Sequence, residues 1–276
     1  MARLVTSKGS FQKDTGDSRI PQFSLAMVIV MFVWPVAWYM ILIHLIMPLF
    51  FIPIPGESLP TSIFLAVIAL GGGAELLVAL ILLRREGYRL TIGGLRDRVR
   101  LYWPKSWKKW TLAIVVFVIV FALGMLSGRL SKALATVPGF IPPVWWPPMS
   151  NPTVEVKSII DAFPDINLGG NYLFLAVFFV IGLVFNIIGE ELYYRGLLLP
   201  RMRGIFGKYD WVANGIGFCL KHFYQRWIYP SLLLPGLAFA FVAGPLGSLL
   251  LAMVFHWIGN FLFAIVQLIP AVFGAG

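Results

Sequence analysis

Residues 23–51 run for 29 positions without one Asp, Glu, Lys or Arg, which is longer than a water-soluble fold can bury and long enough to cross a lipid bilayer with some tilt. Similar apolar stretches recur along the chain. Hydrophobic residues make up 59% of the 276 positions and charged residues 12%, so too little polar surface remains to cover a soluble globule. Inside a bilayer every backbone polar group needs an internal partner, and apolar runs of this length satisfy that as helices. The sequence therefore predicts an all-α, polytopic transmembrane helical bundle of about seven spans, within a range of six to eight. No room is left for a separate soluble domain.

The spans are predicted over residues 23–51, with Pro35 inside, then 61–83 after the Pro-rich turn 52–60, and then 111–126. A fourth follows over 172–200, a fifth over 210–224, a Pro-broken sixth over 227–243, and a seventh from 246. The domain reading is a tail, 1–22, and a single integral-membrane domain, 23–276. The first apolar run is too long for the core of a cleavable signal, so the amino terminus is expected to be retained.

Charge orients the bundle. Residues 84–110 hold nine Lys/Arg against Glu86 and Asp97, and Arg201, Arg203 and Lys208 follow the fourth span. With the four basic residues of the tail, sixteen of the 22 Lys/Arg fall on segments that this topology puts on one side, which the positive-inside rule makes cytosolic. The net charge of +10 then belongs to loops beside anionic headgroups, and no nucleic-acid module is present. Residues 90–101 alternate arginines with Leu90, Ile92, Leu95, Val99 and Leu101, which fits an amphipathic helix on the inner leaflet or an ordinary basic loop. Trp145 and Trp146 fit an outer interfacial belt. The lone Cys219 excludes an intrachain disulfide.

Against this apolar background the run from Asn186 to Pro200 carries Glu190, Glu191 and Arg195. Ionisable groups at membrane depth cost several kcal/mol unless they face a polar interior, so they mark a pathway or a reaction centre. Glu191 and Arg195 are four apart and share a helical face; Glu190 is turned about 100 degrees from its neighbour. Glu191 is thus assigned to an ion pair with Arg195, and Glu190, left without a counter-charge, to the role of base. Two later segments supply partners: His222, and His256 with Asn260 one turn on. At 1.5 Å per residue Glu190, His222 and His256 each lie roughly 15–18 Å from the cytosolic edge, near the middle of a core about 30 Å thick. His256 and Asn260 present two donors for an oxyanion, and His222 is placed to orient water or move its proton. A zinc site built from Glu190, His222 and His256 is the chemical alternative, although no compact His-Glu-x-x-His helix is present. His44 has no polar companion and reads as an ordinary membrane histidine. Glu75, after Gly71-Gly72-Gly73, is a candidate partner for Lys221, and the glycines fit close helix packing.

Glu-Glu-x-x-x-Arg, then Phe-x-x-x-His, then His-x-x-x-Asn, in that order on a polytopic chain, resembles the CPBP family of intramembrane proteases, with its CAAX prenyl endopeptidases and bacteriocin-immunity relatives. The resemblance covers residues 171–267. It implies a bundle peptidase in a bacterial plasma membrane in which Glu190 with His222 activates water, His256 and Asn260 line the oxyanion site, and Glu191 with Arg195 supports them. The implied substrate is a membrane-embedded or lipid-modified peptide, and no cofactor is implied. Lys221 stands where the family commonly has a small, apolar or aromatic residue. A non-catalytic immunity or scaffold protein, or a small proton-coupled carrier, is the alternative function; no inverted repeat favours the carrier.

Overall fold

In a computed structural model that describes residues 20–52 and 57–274, six helical stretches are long and apolar enough to cross a membrane. All but the last three residues of the 1–22 tail, and residues 53–56 of the Pro-rich turn, lie outside the described residues. One stretch, Arg203–Ala243, has 41 residues and would extend about 60 Å if straight, twice the thickness of the hydrocarbon core. It is folded in two. The helices are α1 (Leu25–Ile41), α2 (Thr61–Arg85), α3 (Trp107–Leu134), α4 (Tyr172–Arg201), α5 (Asp210–Lys221), α6 (Tyr229–Ala243) and α7 (Leu249–Phe273). The chain is an all-helical membrane bundle of seven main helices, consistent with about seven spans, and no strand occurs among the described residues.

Hydrogen bonds between the ends of elements identify the two faces. On one face Phe23 N donates to Arg201 O (3.0 Å) and Leu249 N to Arg100 O (3.1 Å). There too Lys109 Nζ donates to Leu246 O at 2.8 Å, and Glu86 at the end of α2 pairs with both Arg98 and Arg201. This is the basic face, and the charge pattern had grouped the same segments. On the opposite face Leu59 N donates to Trp145 O (2.7 Å), Gly170 N to Val272 O (2.9 Å), and Thr61 binds Asp165 through its N–H and its hydroxyl (2.7 and 2.5 Å).

Several local expectations need correction. The sixth span is not broken by proline: α6 is continuous, because Pro230 sits in its first turn, where no N–H is missed, and Pro235 is carried inside. The interruption lies before it, in the 3₁₀ turns His222–Ile228, where Gln225 leaves helical geometry (φ −135°, ψ 47°). Of the two readings of residues 90–101 the basic loop holds and the amphipathic helix does not: one short helical turn, Ile92–Leu95, leads into a loop, with Leu95, Val99 and Arg98 buried against the bundle and Ile92 exposed. Trp146 is not a belt residue. It is 3% exposed and packs edge-on to Trp227 (5.1 Å) and against Phe64 (6.2 Å), so the chain turns inward at Trp146 while Val137, Ile141 and Val144 stay exposed.

Two glycines bring α2 against α4. A Cβ on Gly72 would collide with the Phe185 carbonyl oxygen, and one on Gly189 would approach Gly72 O to 2.7 Å, so the two backbones touch only because neither residue has a side chain. Around this contact α4 opens into wide, π-type turns over Ile181–Gly189 and Leu192–Leu198, a geometry often found at functional positions.

Candidate active site

Glu190 sits between the two wide segments of α4, and its side chain is 2% exposed. Its Oε1 accepts from Lys221 Nζ at 2.7 Å. The expectation that Glu190 lacks a counter-charge is therefore wrong, because the cation comes from α5, which spacing along α4 alone does not reveal. Lys221 also donates to both oxygens of Glu75 (3.2 and 3.3 Å), and Tyr194 donates to Glu75 Oε1 (3.0 Å). Glu75 and Lys221 thus pair as the sequence reading allowed, but as part of a three-residue bridge that reaches Glu190. All three are buried, and such a cluster holds together because its one ammonium is hydrogen-bonded to both carboxylates.

Glu191 faces elsewhere, as its turn along the helix requires. Its Oε1 lies 3.1 Å from Arg195 and 3.0 Å from His256 Nδ1. The Arg195 pair was expected; the His256 bond joins the first motif to the third. Arg195 is further held by Gly236 O (3.1 Å) and lies 3.9 Å over the Phe218 ring. Phe218 in turn stands edge-on to His222 and His256, with ring centres 5.0 and 6.1 Å away, and Phe239 stacks on His256 at 4.7 Å. One aromatic residue from the second motif therefore spaces an arginine and both imidazoles.

The hydrogen bonds assign the nitrogens. His222 Nδ1 is 2.9 Å from Phe218 O, an acceptor only, so Nδ1 carries the proton and Nε2 is left with its lone pair. His256 gives Nδ1–H to Glu191, and its Nε2 lies 4.0 Å from Glu190 Oε2. Asn260 Nδ2 donates to Asn186 Oδ1 (2.9 Å), and Asn186 Nδ2 reaches Glu190 Oε1 at 3.5 Å. Asn186 was given no role from sequence. The signal was available, since it precedes Glu190 by four residues and shares its face.

Glu190, His222, His256, Asn186 and Asn260 all line a single cavity of about 450 Å³. His44, by contrast, is exposed in the wide turn Leu42–Ile46 that follows α1 and is not part of its wall. As a zinc site the trio fits poorly. Among the described residues no three His, Cys, Asp or Glu side chains are gathered closely enough to hold a metal ion, and the Lys221 ammonium bound to Glu190 Oε1 repels a cation from that carboxylate. What remains is a carboxylate oxygen, an imidazole lone pair and amide donors around one polar pocket in an otherwise apolar wall. That set can polarise a water and receive an oxyanion.

Residues 172–262 match the family model of the type II CAAX prenyl endopeptidase Rce1-like group. The matched stretch, about a third of the chain, contains every residue of the three motifs, from Glu190 to Asn260. It supports the resemblance to CPBP proteases over that stretch. No curated protein and no solved structure matches the chain.

Proposed function

We propose that this integral membrane protein is an endopeptidase that hydrolyses a peptide bond within the bilayer, without a metal, using water activated by Glu190 and His222. The observation that carries the reading is the convergence of α4, α5 and α7 on one cavity, with Glu190 Oε1 fixed by Lys221 and Oε2 turned toward His256. Water held between Glu190 Oε2 and His222 Nε2 gives a proton to the carboxylate as its oxygen attacks the substrate carbonyl. Asn260 Nδ2, released from Asn186, donates to the resulting oxyanion, and His256, held at Nδ1 by Glu191, lines the same site. Collapse returns the proton to the leaving nitrogen, so the bond yields one carboxyl and one amine.

Lys221 and Glu75 hold the base, and Glu191 with Arg195 holds His256. A scaffold or immunity protein has no need of an oriented base, two imidazoles and two amides in one pocket. The basic face is read as cytosolic, which also puts the amino terminus in the cytosol of a bacterial cell, and residues 23–276 as one domain. The test is cleavage of membrane-inserted peptides by the purified protein in liposomes, with and without a chelator, beside His222→Ala. Hydrolysis that survives chelation and falls about 10²–10⁴-fold in the variant supports the reading. Hydrolysis abolished by chelation and restored by zinc would replace it with a metalloprotease.

A further inference from the structure

The cavity is not placed symmetrically between the two faces of the bundle. From α2 it takes Phe64, Leu65 and Ile68, the turns next to Thr61, and its roof is Met149 and Ser150. These belong to the end opposite the basic loops, where Thr61 meets Asp165 and Ser150 O accepts from Trp227 Nε1 (3.1 Å). Toward the basic face the bundle is solid. Tyr193, Tyr194, Leu197 and Leu198 are fully buried, and Leu249, Leu251 and Ala252 pack into the same core.

The wall also has a side opening. At the basic end α6 and α7 close on one another through Phe239, Ala243, Leu249 and Ala252, all in one buried cluster. In the other half the same helices diverge. Ser231, Leu232 and Pro235 on α6 and Gly259, Asn260 and Phe263 on α7 line the cavity, yet Gly259 and Asn260 are exposed, and a Cβ on Gly259 would meet nothing within 4 Å. Wall residues of a sealed cavity would not be exposed. Apart from Glu190 and the two histidines the lining has no titratable group but the Tyr224 phenol.

Accepting the peptidase reading, we propose that substrate enters from the half of the membrane opposite the basic loops, through the gap between α6 and α7. The substrate class is an extended peptide segment, apolar on both sides of the cleaved bond, anchored in the outer half of the bilayer or emerging from it. Basic residues concentrate away from this opening: twelve Lys/Arg from Arg84 to Lys109 and from Arg201 to Lys208 flank the other face, against Arg129, Lys132, Lys157 and Arg226 on this side. By the positive-inside rule the opening is extracytosolic. A charged side chain next to the cleaved bond would have to shed its hydration against phenylalanine, leucine and methionine in the wall, so apolar residues are favoured there over acidic or basic ones, while the polar groups of the cavity still admit water and small solutes.

Thiol accessibility tests the path without requiring hydrolysis. Gly259→Cys, Leu232→Cys and, as a marker of the basic face, Ser106→Cys are made in the full chain, with the wild type and its buried Cys219 giving the background. A small charged, membrane-impermeant thiol reagent is applied to right-side-out and to inside-out bacterial membrane vesicles. Gly259→Cys and Leu232→Cys should label in right-side-out vesicles and lose that labelling in inside-out ones, while Ser106→Cys shows the reverse. An apolar peptide inserted into the outer leaflet should slow the first two and leave Ser106→Cys unchanged. Labelling of the cavity positions only in inside-out vesicles, or in neither while Ser106→Cys reacts normally, overturns the proposal. If the cavity labels from outside but no peptide is ever cleaved, the access route stands and the peptidase reading falls.

Discussion

Replacing Lys221 with methionine removes one ammonium from between two carboxylates while nearly preserving volume. Its Nζ lies 2.7 Å from Glu190 and 3.2 Å from Glu75, and at an effective dielectric of about 20 each contact has a gross attraction of about 5–6 kcal/mol. Most of that offsets the desolvation of three buried charges. What the substitution exposes is the cost of the orphaned carboxylates, about 3–5 kcal/mol for a broken buried pair, or a shift of about 10²–10⁴ in the unfolding equilibrium. The assay is reversible unfolding in mixed detergent micelles, with helicity as the signal, on Lys221→Met, Glu75→Gln and the double variant. Because the two side chains share a bond, the double variant should be less destabilised than the sum of the singles by about 0.5–3 kcal/mol. Loss below about 0.5 kcal/mol for Lys221→Met, with the two changes additive, would refute the bridge. The expected wild-type-like stability of Lys132→Met, an exposed lysine on α3, serves as the control.

Glu191→Gln loses the charge-assisted bonds to His256 and Arg195, worth about 1.5–3 kcal/mol, so kcat should fall about 10–100-fold with little change in KM, as steady-state hydrolysis would show. Gly72→Ala puts a methyl against the Phe185 carbonyl oxygen and must push α2 from α4, at about 1–3 kcal/mol; the same unfolding assay checks it, and an unchanged midpoint would mean the helices are not in contact. Burial of Glu86 on the basic face opposes ionisation, but hydrogen bonds and charge from Arg98 and Arg201 outweigh it and hold its carboxyl below the usual range. A depressed carboxylate stabilises the fold above its unfolded pKa of about 4.3 and loses that contribution as pH falls through the lower folded value. Stability measured from pH 7 down to pH 3 should therefore drop more steeply at the acid end in the wild type than in Glu86→Gln.

The bundle was legible because lipid admits few alternatives: long uncharged runs must be helices, and basic loops mark one side. Glu191 with Arg195 was legible because a spacing of four within one helix fixes a contact. Contacts between helices were harder. The bond from Glu191 to His256 and the bridge from Lys221 to Glu190 depend on how α4, α5 and α7 are rotated, and the wide turns of α4 alter that rotation without a distinct residue signature. Gly71 to Gly73 were read correctly as packing residues, but that Gly71 lies against Tyr39 and Gly72 against Phe185 is visible only in the structure. Trp146 misled because tryptophan near a span end usually faces headgroups, whereas here Trp227 and Phe64 make an aromatic pocket that takes it inward.

Glu190 is the group that takes the proton from water in the proposed reaction. The direct measurement is single-turnover hydrolysis of an apolar, membrane-inserted peptide by the metal-stripped wild type and by Glu190→Gln, a variant that keeps a hydrogen-bond acceptor for Lys221. Cleavage is expected from the first and a rate lower by about 10²–10⁴-fold or more from the second, with both proteins equally folded. Equal rates in the two would contradict that role.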